Sequence, residues 1–76
     1  MTVTVHMHGN LRRFMPGGAD RLAMTLVPGT SIETLLTSLG AGDDTWLVAV
    51  NGAVAARDRV LAPGDFLDCF EPIAGG

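Results

Sequence analysis

Alternation of apolar and polar side chains predicts two strands in the first third of the chain. From residue 2 to residue 8 every second side chain is apolar, and from 21 to 27 the alternation returns with Leu22, Met24 and Leu26 on one side. A period of two is typical of a strand with one buried face. Because Gly9 ends the first run and Pro16-Gly17-Gly18 forms a turn before the second, we expect the two strands to pair as a hairpin.

The clearest helix signal lies between residues 30 and 40. Thr30-Ser31-Ile32-Glu33 matches a capping box with Thr30 as the N-cap, and Gly40 is a typical C-terminal cap. Apolar residues then recur with the spacing of one helical stripe, at Ile32, Leu35, Leu36 and Leu39. The pattern predicts one helix over 31–39 with a single buried face.

Three strand segments are predicted after the helix, at 46–50, 53–56 and 66–70, with Asn51-Gly52 as a tight turn between the first two. The resulting order is β-β-α-β-(β)-β, an α+β fold with four or five short strands and one helix. A single helix covers only one face of a sheet. We therefore expect the other face to be open to solvent.

The phase of the last strand decides what lies on that open face. With Leu67 and Cys69 toward the helix, Phe66 and Phe70 lie on the open face beside the end of the chain. We favour this phase because small Cys69 suits a crowded core. Together with Leu47, the two phenylalanines would form an exposed apolar patch, which usually marks a protein interface. The alternative phase buries both phenylalanines and leaves Asp68 on the open face.

The last six residues, 71–76, read Glu-Pro-Ile-Ala-Gly-Gly. Six extended residues reach about 20 Å, and glycine is the slimmest and most flexible residue. We expect a domain over 1–70 and a flexible tail over 71–76. Such a tail could enter a narrow active site of another protein and present the α-carboxylate of Gly76. The alternative is a frayed terminus without a role.

Composition narrows the possible partners and chemistry. The formal net charge is −3, so we expect neither nucleic acid nor an anionic membrane as a partner. All five basic residues are arginine, which excludes a lysine Schiff base and a phosphate-loop lysine. With no apolar run of about 18 residues, no signal peptide and a single cysteine, we expect a cytoplasmic protein.

Few residues offer catalytic or metal-binding chemistry. His6 and His8 share one face of the first strand, but a zinc site takes three or four ligands, so we predict no metal site. Most aspartates lie at turns, where they form local hydrogen bonds. Cys69 lies within a strand and is expected to be a buried thiol without reactivity. We predict that the chain is not an enzyme on its own.

The second half of the chain resembles the MoaD/ThiS family of sulfur carrier proteins. The resemblance rests on the Val-Asn-Gly turn at 50–52, the Leu-Ala-Pro-Gly-Asp turn at 61–65, and the segment 70–76 with its terminal Gly-Gly, at the distances that the family shows. The order of elements is similar to that of the β-grasp, or ubiquitin-like, fold. The chain is therefore identified as a candidate member of this family.

The resemblance implies a chemistry at the end of the chain. An adenylating enzyme would use ATP to activate the carboxylate of Gly76, and a persulfide-derived sulfur would then replace AMP to leave a thiocarboxylate. The chain itself would bind no cofactor. Gly75 and Gly76 would form the reactive end. The residues expected to contact partners are Phe66, Phe70, Pro72, Ile73 and Ala74.

Two types of acceptor are implied, the large subunit of molybdopterin synthase and thiazole synthase. The long link between the first two strands and the Phe70-x-Pro72 pattern favour the molybdopterin type, although Glu71 replaces the first of two prolines common there. The thiamine type often has a Pro-Arg pair where this chain has Ala56-Arg57. Carriers for cysteine or tungsten-cofactor pathways, a ubiquitin-like protein modifier, and a plain β-grasp binding module remain alternatives.

Overall fold

The computed structural model describes residues 1–72, and its elements follow the predicted order. The prediction for Ile73, Ala74, Gly75 and Gly76 lies outside the described residues. Two short 3-10 segments, Gly9–Phe14 and Pro16–Gly18, link the first two strands. The remaining elements are the strands β1 (Thr2–Met7), β2 (Arg21–Thr25), β3 (Leu47–Val50), β4 (Ala53–Val54) and β5 (Phe66–Phe70) and the helix α1 (Ile32–Leu39).

The five strands form one mixed sheet in the order β2-β1-β5-β3-β4. β1 and β2 pair as the predicted antiparallel hairpin, with Val5 opposite Leu22. β5 lies in the centre, parallel to β1 and antiparallel to β3. β5 is therefore held on both edges, and Glu71, which follows it, leaves from the middle of the sheet.

The core lies between α1 and the covered face of the sheet. β1 contributes Val3, Val5 and Met7, each at most 1% exposed, as the alternation predicted. The helix contributes Ile32, Leu35 and Leu36 of its predicted apolar stripe, and Leu39 packs at the edge of the core. The link after β1 also belongs to this core, because Leu11 and Met15 are buried. This link is thus a packed part of the domain.

The helix begins one residue later than the sequence indicated. Ser31 is the N-cap, because its hydroxyl oxygen accepts the backbone N–H of Thr34 at 3.1 Å. The predicted N-cap, Thr30, instead donates its hydroxyl to the carbonyl of Val27 at 2.6 Å. Gly40 ends the helix at φ +76°, as predicted. Within residues 1–72, no helix has the length and apolar character needed to span a membrane.

Candidate functional site: the open face of the sheet

The phase favoured for β5 is confirmed. Leu67 and Cys69 are fully buried against the helix side, so Phe66 and Phe70 lie on the open face. The alternative phase was wrong. It also placed Asp68 on the opposite face of the sheet from the two phenylalanines, which was wrong as well. Alternation along one strand puts residues 66, 68 and 70 on the same face. Asp68 therefore lies between the two aromatic rings.

The phenylalanines are half-buried instead of fully exposed, because neighbouring side chains cover part of each ring. The ring of His8 stacks on Phe70 at 4.3 Å between centroids. His6 meets Phe66 edge-on at 6.1 Å, and the guanidinium of Arg21 lies over the same ring. The expected apolar patch is therefore an aromatic surface with polar side chains between its rings.

Asp68 connects the two histidines at the centre of this surface. Its Oδ1 atom is 2.8 Å from Nε2 of His8 and 3.2 Å from Nδ1 of His6. β1 and β5 are neighbours, and His6 lies directly opposite Asp68 in their register. We call His6, His8, Phe66, Asp68 and Phe70 the open-face cluster.

The start of the tail is held against the link that follows β1. The carboxylate of Glu71 accepts the backbone N–H of Asn10. Gly9 has φ +62°, and a Cβ atom there would collide with the same carboxylate. Glycine is the residue that tolerates both conditions. The direction in which the chain leaves β5 is therefore fixed at least as far as Glu71, and Pro72 beyond it is exposed.

The two turns that carry the sequence motif are joined to each other. Asn51, at φ +52°, donates its side-chain amide to Oδ1 of Asp65 at 3.0 Å and accepts the backbone N–H of Phe66 at 2.9 Å. Oδ2 of Asp65 accepts the N–H of Ala62 at 2.8 Å. This contact, aided by Asn51 and the charge of Arg59, holds the pKa of Asp65 below its ordinary value although burial opposes the shift. The motif residues thus anchor the start of β5.

A family model for the ThiS family matches residues 15–76. The chain belongs to the ThiS family. The match covers most of the chain, including the joined turns and the Gly-Gly end. The family of ubiquitin-like sulfur carriers that the motifs predicted is therefore confirmed, as is its class of small carrier subunits that are not catalytic on their own.

Solved structures similar to this ThiS-family chain have the same fold. SAMP1 from Haloferax volcanii is 19% identical over 100% of both chains, with a TM-score of 0.77. A putative molybdopterin converting factor subunit 1 from Pyrococcus furiosus is 20% identical over 96% of this chain and 99% of its own, with a TM-score of 0.76. The molybdopterin-converting factor complex of subunits 1 and 2 from Helicobacter pylori contributes a chain 19% identical over 100% of both, with a TM-score of 0.62. The predicted β-grasp fold is confirmed. No curated protein sequence matches the chain significantly.

Cys69 has the environment of an inert thiol in this ThiS-family fold. It is fully buried, and burial, with a smaller contribution from the charge of Asp68, raises its pKa to about 12. A thiol with so high a pKa stays protonated near neutral pH, and the thiolate is the nucleophilic form. The prediction that Cys69 is a buried structural residue is confirmed.

The exposure of Trp46 and the structural role of Arg57 were not predicted from the sequence. Trp46 was placed in the third strand, but β3 begins at Leu47 and the indole is 65% exposed.

Arg57 was noted from the sequence only because it stands where the thiamine type often has the arginine of a Pro-Arg pair. Its guanidinium pairs with Glu33 at 2.6 Å and donates to the carbonyls of Gly42 and Thr45. Arg57 therefore anchors the loop that leads from α1 into β3.

Proposed function

We propose that this protein is a sulfur carrier whose Gly76 carboxylate is adenylated, converted to a thiocarboxylate and used as the sulfur donor in cofactor biosynthesis, with molybdopterin as the product served. The single observation that carries the proposal is the ThiS-family match, which extends through Gly75 and Gly76. The described residues agree with the proposal in two respects. The chain leaves the sheet at the end of β5, and the helix does not cover the open face of that sheet.

The proposed chemistry needs a partner for every step. A carboxylate is a poor electrophile until one oxygen becomes part of a good leaving group. Adenylation supplies that leaving group as AMP and releases pyrophosphate from ATP. The outer sulfur of a persulfide then displaces AMP to give an acyl disulfide, and a second thiol cleaves its S–S bond to leave the thiocarboxylate and a new disulfide. The chain has no lysine for a phosphate-binding loop. ATP is therefore bound by the activating enzyme, and this chain is the cosubstrate. The supply of ATP and reduced thiols favours the cytoplasm as the place of this chemistry.

The open-face cluster is the proposed docking surface for both partners. Phe66 and Phe70 are aromatic, partly exposed and close to the exit of the tail, and aromatic side chains are enriched at protein interfaces. Pro72, Ile73 and Ala74 would then run along the partner's channel and place Gly75 and Gly76 at its active site. The Helicobacter pylori structure is a complex of subunits 1 and 2, which supports a large-subunit partner for this chain.

Molybdopterin is preferred over thiamine because of features near the tail. The Phe70-x-Pro72 pattern and the long link after β1 led to this preference, and the link is ordered and tied to Glu71. Similarity to the Pyrococcus furiosus subunit 1 points the same way. A thiazole synthase is the alternative acceptor.

Reconstitution with each acceptor tests this preference. The carrier, ATP, an adenylating enzyme and a persulfide donor would be combined with either the large subunit of molybdopterin synthase or thiazole synthase. We expect product only with the molybdopterin enzyme, and none when the carrier lacks Gly76. Product only with thiazole synthase would reverse the assignment, and product with neither would contradict the proposed function.

A protein modifier is the second candidate, and one observation favours it. SAMP1, a small archaeal modifier protein, has the same fold as this chain. The same adenylated Gly76 could be transferred to a lysine of a target. Because this chain contains no lysine, it could not form lysine-linked chains of itself. Covalent conjugates in cells that persist in denaturing gels and vanish with Gly76 deletion would support this candidate.

A further inference from the structure

We propose that His6, His8 and Asp68 form a binding site for a divalent transition-metal ion, with Zn²⁺ as the ion that fits best. The sequence offered only the two histidines, which is too few ligands. The structure adds a third from β5, 60 residues away from His8. One donor atom from each side chain lies within 4.8 Å of the other two.

The two distances from the Asp68 carboxylate to the imidazoles are near those between the ligands of a zinc site. Zinc–ligand bonds of about 2.0–2.2 Å in a tetrahedron put neighbouring donors about 3.3–3.6 Å apart. Oδ1 of Asp68 is 3.2 Å from Nδ1 of His6 and 2.8 Å from Nε2 of His8. An ion that replaced the His8–Asp68 hydrogen bond would move these two donor atoms apart by about 0.5–0.8 Å.

The three ligands are held in place before any ion arrives. His6 and Asp68 lie opposite each other on paired strands, and each side chain is 19% exposed. Phe70 stacks on one imidazole and Phe66 meets the other edge-on. Side chains that are already ordered lose little conformational entropy on binding. The arrangement therefore favours binding beyond what three independent surface ligands would give.

The donor set selects the class of ion. Two imidazole nitrogens and one carboxylate oxygen suit zinc, copper or nickel, whereas calcium and magnesium prefer oxygen ligands alone. Three protein ligands leave a fourth tetrahedral position for water or for a side chain of a partner. The inference concerns the ion and this chain alone, so it does not depend on sulfur transfer.

Titration of the untagged full chain with Zn²⁺ near neutral pH, followed by calorimetry and by NMR of the imidazole C–H groups, tests the site. His6 and His8 are the two histidines of the chain, so their signals can be followed individually. We expect one Zn²⁺ per chain and shifts of both rings. Co²⁺ in place of Zn²⁺ should give the visible absorption of a tetrahedral complex.

Variants decide whether the proposed ligands bind the ion. His8→Gln and Asp68→Asn should each weaken Zn²⁺ binding at least about tenfold, since even a residue that only orients a ligand has an effect of this size. Asp44→Asn is the matched control, because Asp44 is an exposed carboxylate paired with Arg13, and its affinity should be unchanged. Amide spectra would verify that each variant is folded. Absence of Zn²⁺ binding to the wild type, or equal affinity in the folded ligand variants, would overturn the inference.

Discussion

At the scale of single residues, the side chains of the open-face cluster and of the joined turns have different roles. Phe70 is half-buried and contacts His8, which leaves part of its ring available to a partner. Asp65 is 6% exposed and accepts hydrogen bonds from Ala62 and Asn51. Substitution of Phe70 should therefore affect binding, and substitution of Asp65 should affect stability.

Phe70→Ala should weaken binding to the acceptor's large subunit by about 2 kcal/mol or more, as expected for an aromatic interface anchor. The free energy of unfolding should fall by only about 1–2 kcal/mol, because the lost contacts are a partly exposed ring and its stacked His8. Leu67→Ala, in the core of the same strand, should cost about 2–5 kcal/mol. Calorimetric binding and urea denaturation measure the two effects. Unchanged binding by Phe70→Ala would contradict the docking role.

Asp65→Ala should lower the free energy of unfolding by about 1–3 kcal/mol at neutral pH, because the N–H of Ala62 loses its buried acceptor. The effect should also depend on pH. The pKa of Asp65 is lowered from 3.8 in the folded chain, so its ionised form stabilises the fold above that pH. This stabilisation is lost as the pH falls through the folded pKa.

Denaturation of the wild type and of Asp65→Asn over a range of pH would measure that dependence. The wild type should be the more stable of the two above pH 3.8, and the difference should shrink at lower pH. A difference that stays constant through the acid range would show that the charge of Asp65 contributes nothing.

At the scale of elements, local sequence patterns predicted individual strands and the helix, but they did not predict which distant strands pair. Alternation identified the hairpin of β1 and β2, and apolar spacing identified α1, because both signals are contained in short stretches of sequence. The approach of Asp68 to His6 was not predicted. It depends on the parallel pairing of β1 with β5, which joins distant parts of the chain without a local signal. The third ligand of the proposed metal site was missed for this reason.

The N-cap shows why the ends of elements are harder to predict than their existence. Thr30 and Ser31 are both good capping residues, and only the backbone conformation decides between them. We predict that Ser31→Ala lowers the free energy of unfolding by about 1 kcal/mol, because the N–H of Thr34 loses its acceptor.

Thr30→Ala is the matched control for that change, since its hydroxyl donates to the carbonyl of Val27, which lies outside the helix. It should have the smaller effect in urea denaturation. A larger loss for Thr30→Ala than for Ser31→Ala would mean that Thr30 caps the helix after all.

At the scale of the whole molecule, the fold separates stability from the proposed reactivity. Stability comes from the core between α1 and one face of the sheet, whereas Phe66, Asp68 and Phe70 on the open face take no part in that core. The sequence patterns predicted an open face and a tail over 71–76 beside a domain over 1–70. The arrangement of the open face, with two histidines and an aspartate between aromatic rings, became known only from the structure.

Deletion of Gly76 should therefore leave the fold intact. We expect the melting temperature and the amide spectrum of the shortened chain to match those of the wild type, because Gly76 follows a core that ends with β5. A clear loss of stability would indicate that the last residues pack on the domain. Addition of one residue after Gly76 should be equally neutral for stability and equally damaging for sulfur transfer.

The most direct test of the central claim is the intact mass of the protein after incubation with ATP, a persulfide donor and an adenylating enzyme. We predict that one oxygen of Gly76 is replaced by sulfur, that the change requires ATP, and that fragmentation locates it in the last residue. The chain without Gly76 should not change in mass. An unchanged mass for the wild type, under conditions in which the same enzyme modifies an established carrier, would contradict the account.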